Sequence, residues 1–409
     1  MEQLSSYVTD LQRNLPNQLV KISPPRNGQP ALRNNFRNGN GRSPERAVSL
    51  NRLAGLMFLV VMLASASGCA RTTPAASDEI RRSLGGEPSS LDPQRVGDTF
   101  SYEVLRDLFE GLTTESPSGE VRPGAADTWT VNTAATRYRF HLRSGGRWSS
   151  GEAVEAADFV RALRRALDSA TQSPSAGLLA PIAGAADVLA GRTAVESLGV
   201  RALDPSTVEI DLAAPAPYFP AILSNAVAYP RYAGDANTDS GGGGRPPVSN
   251  GAYALASRIP GAGLSLVKNR YYWDAEAVSV SRIEYIVLAD STAELARYRA
   301  GHLDLTSSVP AQQIEALRAE RPSELQLRPQ LAVVYYAFNL SRPAIRGAAG
   351  LREALSRAID RRLLVTSVLR GGQEPAYGFV PPGISGYEGA RYSWMADSPR
   401  DREARAQIL

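Results

Sequence analysis

The spacing of hydrophobic positions changes several times along the chain, and each spacing predicts an element. Apolar residues at every second position predict half-buried strands, of which Tyr138–Leu142 and Thr207–Leu212 are the clearest. Apolar residues three or four positions apart predict helices that bury one face, and such stripes begin at Val104, Phe159 and Leu351. Strand and helix patterns alternate after residue 78.

Two further patterns give local expectations. The β-branched and aromatic residues of Val333–Asn339 predict a strand. Ser291 and Glu294 stand three residues apart ahead of an apolar stripe, which predicts a capping box at the start of a helix that Gly301 ends.

The first 77 residues have a different character. Residues 1–47 are mostly polar residues, Gly and Pro that cannot bury a core, so we expect a disordered region or a leader from a misassigned start. Residues 48–68 show a charged end, a short apolar run and small residues, the order of a secretory signal peptide. Ala66–Cys69 resembles the lipobox of bacterial lipoproteins. This resemblance implies a lipid anchor on Cys69, followed by a tether over residues 69–77.

Alternatives stay open for this region. Translation from near Val48 would remove the polar stretch, whereas a genuine cytoplasmic tail would precede an uncleaved membrane anchor. Cys69 would otherwise be an ordinary buried free cysteine after a core helix. Sequencing the N-terminus of the native product distinguishes a cleaved leader from an uncleaved tail.

The charge balance depends on whether the leader is counted. The chain has 45 Lys and Arg residues and 41 Asp and Glu residues, but eight of the former and three of the latter precede Cys69. The remainder therefore has 37 basic and 38 acidic residues, so a nucleic-acid partner, which requires a basic face, is not expected. With Cys69 as the sole cysteine, the chain has no internal disulfide and depends on its hydrophobic core.

Several motifs in collinear order resemble the bacterial extracellular solute-binding proteins of family 5. The motifs are Leu108–Thr113, Tyr138–Gly151, Val248–Tyr253, Lys268–Asp274 and Tyr298–Leu305. The resemblance runs from about Ile80 to Leu409 and is closest to the oligopeptide-binding branch. It implies a two-lobed α/β fold of the periplasmic-binding-protein-like (type II) class, with mixed sheets and flanking helices. The two lobes of such proteins close over a ligand by hinge motion.

The same resemblance implies a division of the chain. Residues 78–330 are expected to form the first lobe, with an inserted subdomain over about 110–233, and residues 331–409 part of a second lobe. Family members continue well beyond this point, so we expect the second lobe to be incomplete and the chain to be a fragment or a frameshift product. The aspartate that pairs with the peptide amine in well-known members would lie beyond Leu409.

Motif matching implies a ligand site between the lobes. It assigns ligand contacts to Asp98, Thr99, Asn250, Tyr335 and Tyr336. An alternative interpretation remains for two of these assignments. Asn250 precedes a glycine, which is also the pattern of a turn, and one of two adjacent tyrosines on a strand must face the core.

The family resemblance also implies a function. It points to a substrate-binding lipoprotein of an ABC import system that captures oligopeptides and delivers them to a permease and ATPase complex. We expect a monomer in the periplasm or at the cell surface, without a metal or another cofactor. The alternatives are a dipeptide, nickel-chelate or haem binder of the same family, or a surface lipoprotein that senses peptides without transporting them.

Catalysis has little support in the sequence. His141 and His302 are the only histidines, which supplies a metal site or a catalytic triad poorly. The motifs of zinc proteases, serine hydrolases and P-loop nucleotide-binding proteins do not occur in the chain. The sequence therefore predicts a binding protein that is not an enzyme.

Overall fold

The computed structural model describes residues 21–22, 78–235, 246–328, 330–384, 387 and 389–409. Its strands, in chain order, are β1 (Lys21–Ile22), β2 (Glu79–Leu84), β3 (Thr113–Glu115), β4 (Val121–Pro123), β5 (Ala126–Val131), β6 (Arg137–Leu142), β7 (Val200–Asp204), β8 (Thr207–Asp211), β9 (Tyr253–Ile259), β10 (Gly263–Lys268), β11 (Arg282–Val287) and β12 (Leu325–Gln326). Two antiparallel pairs, β1 with β12 and β3 with β4, stand beside two four-stranded sheets.

The helices differ widely in length. They are α1 (Thr99–Leu108), α2 (Ala156–Leu167), α3 (Ala185–Leu189), α4 (Phe219–Ile222), α5 (Ser291–Arg299), α6 (Ile314–Glu320), α7 (Pro343–Arg346), α8 (Ala349–Ala358), α9 (Arg361–Leu363) and α10 (Pro399–Ile408). A π-helical turn, Leu364–Leu369, follows α9 directly. Short 3₁₀ turns lie at Ser169–Thr171, Ala176–Leu179, Val195–Ser197, Ala226–Ala228, Ala233–Asp235, Ala275–Ala277, Ala311–Gln313 and Ser393–Ala396.

One four-stranded sheet has the order β2-β11-β10-β9 and is mixed. Strands β2 and β11 are parallel, with Ile80 opposite Ile283, whereas the other two pairs are antiparallel. Helix α1 follows β2 and covers the sheet because its apolar residues recur on one face. The core between them includes Leu84, Val104, Leu105, Leu108, Leu264, Leu266, Ile283 and Tyr285.

The second four-stranded sheet has the order β5-β6-β8-β7 and is antiparallel throughout. Alternate residues of β6 are buried, and its buried face packs with helix α2 in one core. The strand predictions at Tyr138–Leu142 and Thr207–Leu212 and the helix prediction at Phe159 are therefore confirmed. The sheet lies within residues 110–233, the range that the sequence assigns to an inserted subdomain.

Helix α5 begins differently from the sequence prediction. Its N-cap is Asp290, whose carboxylate accepts from the backbone amides of Thr292 at 2.6 Å and Ala293 at 3.1 Å. Ser291 is instead the first helical residue, and the side chain of Glu294 is buried in the core. The predicted capping box is therefore wrong, because the acidic residue one position earlier caps the helix.

Residues 331–409 contain helices but no strand in the described part of that segment. The stripe beginning at Leu351 forms α8, which confirms that helix. Val333–Asn339 has no regular secondary structure and no ladder partner among the described residues, so that strand prediction is wrong. A strand is stable only where a neighbour accepts and donates its backbone hydrogen bonds. Exposed large apolar side chains are frequent here, including Leu331, Val334, Leu351, Leu355, Leu363, Phe379 and Ile408.

Candidate ligand-binding edge

The carboxyl end of β2 and the N-terminus of α1 lie beside each other. Gly85 and Gly86 follow the strand, and a Cβ atom on Gly86 would lie only 2.5 Å from the ring of Phe100 in α1. In open α/β sheets, ligands bind outside the carboxyl ends of parallel strands, where helix N-termini present free backbone amides. We define the β2–α1 edge as Gly85, Gly86 and Gly97–Thr99.

Asp98 uses its side chain to start α1. The carboxylate accepts from the amide of Ser101 at 2.8 Å and from its hydroxyl at 2.6 Å, and it also accepts from the hydroxyl of Ser89. Burial alone would raise the pKa of Asp98, but these hydrogen bonds lower the pKa overall. Gly97 and Thr99 on either side are exposed. A ligand at this edge would therefore meet backbone and the Thr99 hydroxyl more readily than the Asp98 carboxylate.

The segment Leu305–Val309 runs along the outer side of β2. The amide of Ser83 donates to the carbonyl of Leu305 at 3.1 Å, and the amide of Ser307 donates to the hydroxyl of Ser83 at 2.8 Å. A Cβ atom on Gly85 would lie 3.5 Å from the hydroxyl oxygen of Ser307. This segment therefore packs against the end of β2 and holds the backbone of the β2–α1 edge in place.

Glu294 of helix α5 fixes that segment. Its fully buried carboxylate accepts from the hydroxyls of Ser307 at 2.8 Å and Ser308 at 2.9 Å. It also accepts from the hydroxyl of Ser83 and the amide of Ser307. A buried carboxylate requires such donors, and here they come from two separate parts of the chain, Ser83 and the adjacent Ser307 and Ser308. Sequence reasoning missed this role because Glu294 has the spacing of a capping box.

Asn250 is used for pairing within the protein. Its side-chain oxygen accepts from the amide of Glu110 at 3.1 Å, and its side-chain nitrogen donates to the carbonyl of Glu110 at 2.9 Å. Asn250 is also buried, and a Cβ atom on Gly251 would lie 2.6 to 2.7 Å from backbone atoms of Leu108 and Phe109. The structure thus places Asn250 against the backbone of Glu110 and not at the β2–α1 edge, and ligand contact by Asn250 stays a prediction.

Substitution Asn250→Ala is expected to lower the free energy of unfolding by about 2–3 kcal/mol, because the partly buried backbone amide and carbonyl of Glu110 both lose their partner. Urea denaturation followed by circular dichroism measures this loss. Asn339→Ala is the control, at an exposed asparagine whose side-chain oxygen accepts from the amide of Ser341 at 3.0 Å, and it should cost less than about 1 kcal/mol. An unchanged unfolding midpoint for Asn250→Ala would contradict the pairing role.

Glu110 is the centre of a cluster that joins several of the sequence motifs. Its carboxylate accepts from the Tyr272 hydroxyl at 2.7 Å and from the Trp273 indole nitrogen at 2.8 Å. The guanidinium of Arg143 lies 3.7 Å from the centroid of the Trp273 ring. Burial raises the pKa of Glu110, although the hydrogen bonds from Tyr272 and Trp273 and the charge of Arg143 oppose the rise.

The raised pKa of Glu110 predicts a specific pH dependence. Its stabilising contribution is present below the unfolded pKa of about 4.3 and is lost as pH rises through the higher folded value. Wild type should therefore lose stability relative to Glu110→Gln as pH rises from 4, until the carboxyl is ionised. Urea denaturation of both proteins between pH 4 and 8 checks this.

Asp304→Asn provides the control of opposite sign. Burial would raise the pKa of Asp304, but hydrogen bonds from Arg81 at 2.8 to 3.0 Å lower it overall. Wild type should therefore gain stability relative to Asp304→Asn as pH rises from 2 to 5. The same trend in both pairs would contradict the assignment for Glu110.

Tyr335 and Tyr336 are both exposed, at 59% and 64%. The ring of Tyr335 packs edge-on against Phe379 with centroids 4.9 Å apart. Because the predicted strand is not formed, neither tyrosine turns into a core, contrary to the expectation that one would. Both side chains are accessible to a ligand, but ligand contact stays a prediction for them, as it does for Asp98 and Thr99.

Cys69 lies outside the described residues, so the anchor stays a prediction. Among the residues with described positions, no group of three His, Cys, Asp or Glu side chains is arranged to hold a metal ion. Within the same part of the chain, no helix combines the length and the apolar character that a membrane span needs.

The fold is that of the two-lobed periplasmic binding proteins. The solved structure of the murein tripeptide binding protein MppA from Escherichia coli superimposes with a TM-score of 0.76 at 32% identity, covering 82% of this chain and 66% of that one. The predicted fold class is therefore confirmed. The family model for the middle region of the bacterial extracellular solute-binding proteins, family 5, matches residues 120–405, and the chain belongs to this family.

Two curated relatives from Escherichia coli strain K12 show the range of names in the family. The probable deoxycholate-binding periplasmic protein YgiS is 36% identical over 363 residues, which is 87% of this chain and 67% of the relative. The periplasmic oligopeptide-binding protein OppA is 33% identical over 371 residues, which is 88% of this chain and 67% of the relative. The chain thus spans about two thirds of the length of these relatives.

Proposed function

We propose that this chain is the substrate-binding component of an ABC importer that captures oligopeptides and delivers them to a membrane permease and its ATPase. The β2–α1 edge is the observation that carries the proposal. Gly97 and Thr99 are exposed, while the Asp98 carboxylate between them is held by Ser101 and Ser89. Recognition through the peptide main chain, which tolerates different side chains, requires exposed backbone of this kind.

The family and the names of its members support the same proposal. OppA and MppA are named for peptides, and the chain is about one third identical to each. YgiS is named for deoxycholate, a ligand without a peptide main chain. Deoxycholate is therefore the comparison that tests a peptide ligand most sharply.

The test is native mass spectrometry of the whole chain carrying Cys69→Ser, which prevents lipidation. We expect a ladder of added masses from a mixed pool of two- to five-residue peptides and no adduct with deoxycholate. If the reading frame continues downstream, the longer product is measured in parallel, because contacts beyond Leu409 are expected to strengthen binding. A protein that stays unshifted in both forms with peptides, or that shifts only with deoxycholate, would overturn the oligopeptide assignment.

We further propose that Cys69 carries the lipid that keeps the protein at the membrane surface. The ordered signal features of residues 48–68 support this, together with the periplasmic location named for the relatives. Detergent phase partitioning of native protein should place the wild type in the detergent phase and Cys69→Ser in the aqueous phase. Equal partitioning of the two would contradict lipidation at Cys69.

A further inference from the structure

The segment 331–409 contains an aromatic cluster surrounded by arginines. The rings of Tyr392 and Trp394 stack with centroids 4.8 Å apart, and the ring of Tyr377 meets Trp394 edge-on at 5.8 Å. Trp394 is buried, although most large apolar residues of this segment are exposed. Trp394 is therefore a buried anchor of the cluster, although Tyr392 is itself 51% exposed.

One of the arginines has carboxylate partners. Arg357 lies 5.0 Å from the centroid of the Trp394 ring, and it donates to Glu353 and to Asp397, each at 2.9 Å. The charge of Arg357 is thus balanced within the segment. Arg357 can therefore serve as a control for the two arginines described next, Arg361 and Arg402.

Arg361 and Arg402 both contact Tyr377. Arg402 is only 6% exposed, and one of its terminal nitrogens donates to the Tyr377 hydroxyl at 2.9 Å. Its Nε is buried and has no acceptor among the described residues. Arg361 lies 5.4 Å from the Tyr377 centroid and donates to the carbonyl of Ser356 at 2.7 Å.

Neither Arg361 nor Arg402 forms an ion pair with a carboxylate of the described residues. Two nearby acids have other roles, since Asp360 accepts from the Leu363 amide at 3.0 Å and Asp401 from the Ser398 hydroxyl at 2.7 Å. Burial lowers the pKa of Arg361, and the charge of Arg402 lowers it further. Partly burying two cations without a neighbouring anion costs free energy. A site of this kind therefore favours the binding of a carboxylate anion.

We propose that Arg361 and Arg402 form a carboxylate-binding site on the 331–409 segment. Guanidinium groups match the planar geometry of a carboxylate, and Arg361 lies against the rings of Tyr377 and Trp394. The buried Nε of Arg402 supplies a donor that a carboxylate oxygen would accept from. The ligand chemistry is a carboxylate, whether of a free organic acid or of a polypeptide.

The test uses the whole chain with Cys69→Ser and sodium acetate as the probe. Acetate replaces chloride at constant ionic strength, and the thermal unfolding midpoint is followed as a function of acetate concentration. A ligand that binds only the folded state raises this midpoint. We expect a saturable rise in wild type, and an apparent acetate affinity weakened by at least about tenfold in Arg361→Gln and in Arg402→Gln.

Arg357→Gln is the matched control, because its guanidinium already has two carboxylate partners, and it should keep the acetate response. If Arg402→Gln does not fold, the half-buried Arg361 carries the test alone. An equal response in wild type and Arg361→Gln would overturn the proposal.

Competition with trialanine and trialanine amide distinguishes the sources of the carboxylate. Displacement of acetate by the acid and not by the amide, lost in Arg361→Gln, would support the site and assign it to a peptide carboxylate. Acetate binding that neither peptide displaces would support the site with a small organic acid as its ligand.

Discussion

Replacing Glu294 with alanine is expected to lower the free energy of unfolding by more than about 3 kcal/mol, because several buried donors lose their acceptor at once. The carboxylate is fully buried and accepts from the hydroxyls of Ser83, Ser307 and Ser308. Urea denaturation measures the loss. Hydrogen exchange should also show faster exchange at the Ser307 amide, which donates to Glu294 and to Ser83.

Asp290→Ala is the matched control on the same helix. Asp290 caps α5 through the amides of Thr292 and Ala293, and the loss of a cap costs about 1 kcal/mol. Exchange at Ser307 should stay unchanged in this variant. Similar losses of stability in Glu294→Ala and Asp290→Ala would contradict the supporting role of Glu294 behind the β2–α1 edge.

The second large effect is expected for Asp92→Ala, at about 3–5 kcal/mol, because two arginines lose their buried partner. The carboxylate is 1% exposed and accepts from Arg165 of helix α2 at 2.8 and 2.5 Å, with Arg231 at 3.7 Å. Asp92 lies in the connection between β2 and α1, so the ion pair ties that connection to the core of the second sheet. Chemical denaturation measures the change.

Glu120→Ala removes an ion pair with Arg122 whose side chains are both more than half exposed, and it serves as the control. An exposed pair contributes at most about 1 kcal/mol. An equal cost for Asp92→Ala and Glu120→Ala would show that Asp92 does not hold the connection to α2.

Elements with one buried face could be predicted from the sequence. In β6 the residues Tyr138, Phe140 and Leu142 are buried while their neighbours face solvent, so the period of two is visible. In α2 the buried residues Phe159 and Leu163 recur at helical spacing for the same reason. When one face of a strand or helix is buried, its apolar residues recur at a regular spacing, and this spacing can be recognised in the sequence alone.

The strand predicted at Val333–Asn339 had the right composition, but composition does not supply a partner. Among the described residues no strand pairs with this segment, and Val334, Tyr335 and Tyr336 are exposed. A strand forms only when a second segment pairs with it through backbone hydrogen bonds, and the local composition of Val333–Asn339 does not show whether such a segment exists. The same limit applies to any ladder whose neighbour lies far away in sequence.

The candidate site was only partly accessible to sequence reasoning. Motif matching selected Asn250, but the amide of this residue pairs with the backbone of Glu110, which is 140 positions away. The same cluster includes Tyr272 and Trp273, so motifs from several parts of the chain meet in the scaffold. Contacts over such separations depend on the fold, and a matched motif does not distinguish a scaffold residue from a ligand contact.

The central claim is that a peptide binds at the β2–α1 edge, and hydrogen exchange on the whole chain with Cys69→Ser tests it most directly. The measurement compares the protein with and without a saturating peptide taken from the native mass spectrometry experiment. Added protection at Gly97 and Thr99, with no change in the Glu110 and Asn250 turns, is the predicted result. Bound peptide that leaves Gly97 and Thr99 unprotected, or that protects only the Asn250 turn, would contradict the account.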